Sequence, residues 1–281
     1  MISSSIIISF YTILVVILTF PLTVAIIMRY KRKTKFSPFL LGLVVYFTFE
    51  FFFVTMVNSL FLNPGRVTYG ILNENPVGYC LFVAVTNGFL VILGMYIAFD
   101  KILGSHDDKR TPLMLSLGYV AIALIALVGL EMIVYITNAT AINELGLDGY
   151  RELYADVKEY DIEATIKAIT NMTIGDVLCL SFDLLVYVLF TFSLAIMVFY
   201  SSRRKVKAYF WIAILMRALY TIPSSLERKL FTEVSGSWQI AKLMIGLTMA
   251  AFAGYIALML FRSYDKTEML LPSELFKKKN V

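Results

Sequence analysis

Apolar residues in this chain come in blocks of about 20 separated by short polar and charged stretches, the pattern of segments that cross a lipid bilayer. Seven blocks stand out: Ile6–Met28, Pro38–Leu62, Val77–Phe99, Leu113–Thr137, Ile174–Tyr200, Ala208–Pro223 and Trp238–Phe261. The sixth is the shortest. None alternates with the period of a barrel strand, so each is expected to be a helix that satisfies its own backbone polar groups in lipid. The expected fold is all-α: a polytopic membrane protein of seven transmembrane helices in a single domain over residues 1–281, with no internal repeat and no soluble domain.

Composition agrees with the pattern. Hydrophobic residues make up 59% of the 281 and charged residues 16%, and the mean hydropathy is +0.77. The net charge of +5 would suit a nucleic-acid partner if it were gathered on one surface, but its placement reports topology instead. Taking the connecting segments alternately, one side receives Arg29–Lys35, Lys101–Arg110, Arg203–Lys207 and Arg262–Lys279, with seventeen Lys and Arg; the other holds Arg66, Arg151, Lys158, Lys167, Arg228 and Lys229. The positive-inside rule then puts the N-terminus outside and the tail 262–281 in the cytosol. The partners expected are the bilayer and another membrane protein or hydrophobic peptide, with no nucleic acid. The location expected is the plasma membrane, a bacterial cytoplasmic membrane in particular. No Lys or Arg precedes the first span and no small-residue cleavage site follows it, so it is read as a retained anchor.

The one long loop, 138–173, lies outside on this reading and carries seven acids against three basic residues. Leu153, Val157, Tyr160 and Ala164 recur there at helical spacing, which predicts a helix lying in the interface. The sequons at Asn138 and Asn171 matter only where proteins are glycosylated. Cys80 and Cys179 fall near the outer ends of their spans and are read as free thiols.

Ionisable groups at bilayer depth cost several kcal/mol unless paired, which makes each a functional lead. Glu50 and Arg217 lie roughly 18 Å and 14 Å from the cytosolic edge at about 1.5 Å per residue, and Asp183 falls near the same level. Arg217 is expected to donate to Asp183, and Glu50 completes the cluster. Either it is a structural ion cluster, or it lines a polar cavity for a proton, an ion or a charged ligand. Glu131 and Lys242 form a second candidate pair nearer the outer surface. The stretch NGFLVILGMYIAF adds Asn87, Gly88, Gly94 and Tyr96 on one span, small and polar residues of the kind that let another helix or a substrate come close.

Other chemistry lacks raw material. The single histidine, His106, sits in the charged turn GSHDDKR, and no HExxH, GxSxG, Walker or paired-cysteine motif occurs. No metal site and no cofactor are expected.

Spans 3 to 6 resemble the YhfC-type membrane proteins, related to glutamic-type intramembrane proteases. That family carries a frame like A-G-x-x-E-E-x-G-R-Y, and here Asn87 to Tyr96 reads NGFLVILGMY. A segment like G-H-G-G-I-E-A is matched by Gly118 to Leu124, GYVAIAL. One like E-R-x-x-A-x-x-x-H is matched by Asp183 to Thr191, DLLVYVLFT, and one like A-I-L-x-H-A-L-x-D by Ala213 to Thr221, AILMRALYT. The frame KFSPFLLGLVVYF in span 2 is also similar. The resemblance implies that Val91, Ile92, Met95, Tyr119, Ala123, Thr191, Arg217 and Thr221 stand where an active relative holds its glutamates, arginine, histidines and aspartate. None of these side chains serves as a base at neutral pH.

On this footing the chain is expected not to be an enzyme. It is read as a pseudoprotease that keeps a groove for a hydrophobic helix and binds a membrane partner or peptide. The alternatives are a seven-helix receptor, a small transporter using Glu50, Asp183 and Arg217, and an active protease with replaced groups.

Overall fold

The computed structural model describes residues 2–63, 67–156, 159–230, 236–264 and 271–272. Arg66, Val157, Lys158 and most of the expected tail 262–281 lie outside them. Every regular element among the described residues is a helix. In chain order these are α1 (Ser4–Arg32), α2 (Ser37–Leu62), α3 (Val67–Glu74), α4 (Pro76–Ile102), α5 (Thr111–Leu153), α6 (Glu159–Thr170), α7 (Ile174–Arg204), α8 (Ala208–Leu230) and α9 (Gly236–Ser263).

Local chemistry sets the helix ends. The Ser3 hydroxyl oxygen accepts from the Ser5 N–H at the start of α1, and Arg29, Lys31 and Arg32 fill its last turn before Lys33 turns the chain in the left-handed region. Asn75 accepts from the N–H groups of Val77 and Gly78 ahead of Pro76 in α4. At α7, Thr173 and Asp176 form a reciprocal capping box. Three stretches widen into π-helix: Tyr46–Val54 inside α2, Ala98–Ile102 at the end of α4, and Ile125–Gly129 inside α5. α5 kinks at Gly146, whose φ of 73° suits glycine.

Among the described residues six helices are long and apolar enough to cross a membrane: α1, α2, α4, α5, α7 and, from Trp238, α9. The seventh expected span, Ala208–Pro223, lies in α8 and is not among them. Arg217 stands at the centre of α8, and Thr221, Ser224, Ser225 and Glu227 follow within three turns, so its apolar stretch is interrupted from the middle onward.

The packing runs through backbone contacts. α2 and α5 cross so closely that a Cβ on Gly42 would lie 2.0 Å from the Leu115 carbonyl oxygen, and one on Gly118 would lie 1.8 Å from that of Phe39. Small residues at such crossings let helices meet where lipid tails give no hydrophobic drive. α8 packs chiefly on α4, α9 on α7, and α5 reaches α7. The core these contacts enclose includes Ile92, Met95, Tyr119, Ala123, Phe190 and Met197, none more than 1% exposed.

The expected loop 138–173 is largely helical. α5 continues through it to Leu153, and α6 returns with Ile162, Ile166 and Ile169 buried against Ile2, Ala139, Ile142 and Tyr150. The Asn143 side chain holds the backbone of Ile2, accepting at 2.7 Å and donating at 3.0 Å. The buried stripe differs from the expected one: Leu153 and Ala164 are exposed. Three β-branched isoleucines at i, i+4 and i+7 outweigh an alanine and a leucine at a helix end. Cys80 and Cys179 are free thiols, as expected.

Candidate functional site

Near the middle of the bundle three helices bring polar side chains together. Glu50 stands at the centre of the π-helical stretch of α2, a distortion often found at functional positions. Arg217 comes from the middle of α8. Its Nη2 donates to Glu50 Oε1 at 2.7 Å, and its Nε donates to Asn87 Oδ1 of α4 at 2.9 Å. The Thr221 hydroxyl, one turn on, donates to the Arg217 carbonyl at 2.9 Å and lies 3.4 Å from Asn87 Oδ1.

The guanidinium also lies over the Tyr187 ring of α7, 5.5 Å from its centroid. The Arg217 and Glu50 side chains are only 5% and 13% exposed. Fork-shaped donation to two acceptors is the arrangement that makes a buried arginine tolerable. Glu50 Oε2 is left buried with no hydrogen-bond partner among the described residues. α4 and α8 meet closely enough for this geometry because Gly88 follows Asn87: a Cβ there would lie 2.8 Å from the Ile214 carbonyl oxygen.

The structure therefore pairs Arg217 with Glu50, not with the expected Asp183. Asp183 lies one turn before Tyr187 on α7, about 6 Å along the axis, and the guanidinium reaches only the Tyr187 level. Asp183 instead faces Lys242 at 4.0 Å, and Lys242 binds Glu227 at 3.0 Å. Asp183 and Lys242 line a cavity with Asp176, Cys179 and Gln239. The expected Glu131–Lys242 pair does not form. Glu131 is exposed on α5, whereas Lys242 on α9 packs beside α7 and α8.

Of the positions singled out by family resemblance, Val91, Ile92, Met95, Tyr119, Ala123 and Thr191 are all at most 1% exposed. The Tyr119 hydroxyl and Thr191 Oγ1 are buried without hydrogen-bond partners among the described residues. Arg217 and Thr221 are the two that join the polar centre. Asn87 and Tyr187 complete it and were not assigned to it from sequence, although an asparagine inside an apolar span was the available signal for the first.

The long apolar helices mark a multi-pass membrane protein, and a buried ion pair held by an amide and an aromatic face gives its helical bundle a polar centre. The chain matches the model of the YhfC intramembrane metalloprotease family over residues 12–237. That is most of its length, and the chain belongs to this family. No curated protein and no solved structure matches it.

Family membership corrects one expectation outright. The chain was expected not to be an enzyme, but its family is named as an intramembrane metalloprotease, which points to a protease. The expectation rested on replaced side chains in a matched frame, and a frame does not exclude polar groups elsewhere in the bundle from chemical work.

The family name also implies a metal. The polar centre does not fit one. A catalytic zinc ion takes three carboxylate, imidazole or thiolate donors, whereas here one carboxylate and one amide oxygen already accept from a guanidinium that carries its own fixed charge. Among the described residues no group of three or more His, Cys, Asp or Glu is placed to hold a metal.

Proposed function

We propose that the chain receives a hydrophobic segment of a membrane protein or peptide between its helices, with the Glu50–Arg217–Asn87 centre as the polar contact. The carrying observation is Glu50 Oε2, a buried carboxylate oxygen with no hydrogen-bond partner among the described residues, while Arg217 Nη2 holds the other oxygen, Oε1. A polypeptide segment in lipid brings amide N–H groups wherever its helix is interrupted, and a fixed acceptor at that depth meets the need of such a donor. Membership of a family named for intramembrane proteolysis supports the same class of ligand.

Two parts of the topology belong to this reading. α8 is a seventh span, carried across by its packing on α4 and α7 and by pairing of its one buried charge. The N-terminus lies outside, with the basic loops in the cytosol of a bacterial plasma membrane.

The test uses purified protein in mild detergent with helical membrane substrates, alongside Glu50→Gln. Binding or cleavage that depends on Glu50 supports the proposal, and cleavage would identify the pair as part of a hydrolytic centre. Substrate handling identical in wild type and Glu50→Gln would remove the centre from the function.

A further inference from the structure

A separate feature lies where α1 ends and the turn before α5 begins. Between Arg29 and Lys35 the chain places five basic residues, Arg29, Lys31, Arg32, Lys33 and Lys35, with no acid among them, and all five are exposed. The fold adds a sixth: Arg110 Nη1 donates to the Arg32 carbonyl at 3.1 Å. The Ser37 hydroxyl, 3.4 Å from His106 Nε2, joins the two segments again.

The two carboxylates of this surface are already engaged. Asp107 accepts from the Tyr264 hydroxyl, and Asp108 accepts from the Arg110 N–H at 2.9 Å. The guanidinium of Arg29 lies over Phe36, 5.6 Å from the ring centroid. Directly below the charges, α1 exposes Leu22, Ile26 and Ile27, and Tyr30 stands among the charges, 77% exposed. The surface is thus cationic at its rim and apolar beneath, along the direction in which a lipid stands in a bilayer.

We propose that residues 29–35 and Arg110 bind the anionic headgroup of a phospholipid whose acyl chains lie along the exposed face of α1. Anionic lipid surfaces attract such juxtamembrane clusters, and the attraction grows with each basic residue. The apolar face beneath the charges selects a lipid over a free phosphate. This proposal is independent of the Glu50–Arg217 reading.

The experiment measures the melting temperature and the lipid retained by the full-length protein in mild detergent. The additions are phosphatidylglycerol, phosphatidylcholine, or inorganic phosphate at matched ionic strength. Phosphatidylglycerol is expected to raise the melting temperature and be retained, and the other two are not. In the variant combining Lys31→Gln, Arg32→Gln, Lys33→Gln and Lys35→Gln, retention should fall by about tenfold or more. The variant with Lys31→Arg, Lys33→Arg and Lys35→Arg should keep it, because charge rather than a particular side chain is recognised. Equal retention of phosphatidylglycerol by the glutamine variant, or equal stabilisation by phosphatidylcholine, would overturn the proposal. Equal stabilisation by inorganic phosphate would overturn the lipid in favour of a free anion.

Discussion

At the scale of single residues, the fold depends on Arg217 having a partner. Its side chain is 5% exposed, and the guanidinium has Glu50 and Asn87 as acceptors. Glu50→Leu leaves a buried cation uncompensated and is expected to cost about 3–5 kcal/mol, whereas Glu50→Leu with Arg217→Leu should recover most of the loss, since apolar replacement of a buried pair is often neutral. Melting temperatures in detergent check this, with Asp183→Asn as the contrast. Asp183 is about a third exposed beside Lys242, so its change should be nearly silent. The two charged residues of the polar centre, Glu50 and Arg217, were legible in the sequence because charges inside apolar spans are rare. Which acid meets the arginine was not, because counting residues from a span edge locates a side chain to within about one turn, and one turn separates Asp183 from Tyr187.

At the scale of helices, the crossing of α2 and α5 holds the π-helical stretch of α2, and with it Glu50, against the core. Tyr46 at the start of that stretch packs edge-on against Tyr119 of α5, with ring centroids 5.3 Å apart. Gly118→Leu would drive a Cβ to within 1.8 Å of the Phe39 carbonyl oxygen. The backbones must then separate, at a cost above the roughly 1–3 kcal/mol of ordinary overpacking. The variant is expected to melt earlier and lose Glu50-dependent binding, while Gly70→Ala, with nothing within 4 Å of the added atom, should leave both unchanged. Six spans were legible from uninterrupted apolar length. α8, expected as a seventh span, is not among them, because Arg217 and the polar residues after it interrupt its apolar stretch. The expected stripe of the 138–173 segment failed at Leu153 and Ala164 because the helical period admitted two phases, and the choice between them depended on contacts with Ile2 and Ile142.

At the scale of the whole molecule, the proposed orientation rests on seventeen basic residues in one alternate set of connecting segments against six in the other. A cysteine placed at Ser105 should be protected from an impermeant thiol reagent in intact cells, and one at Asp148 should be labelled. Both positions are exposed, so reversed labelling would mean that the bundle is inserted the other way. The central claim is that a hydrophobic segment enters beside the Glu50–Arg217–Asn87 centre. Phe53, on the same π-helical stretch as Glu50, can carry a photoreactive phenylalanine with little change of shape, and Phe20 on the exposed face of α1 can carry the same group as a control. Irradiation in native membranes is expected to join a defined polypeptide to position 53 and not to position 20, and the adduct should disappear when Glu50→Leu and Arg217→Leu are combined. The same adduct from both positions, or one that persists without the ion pair, would contradict the account.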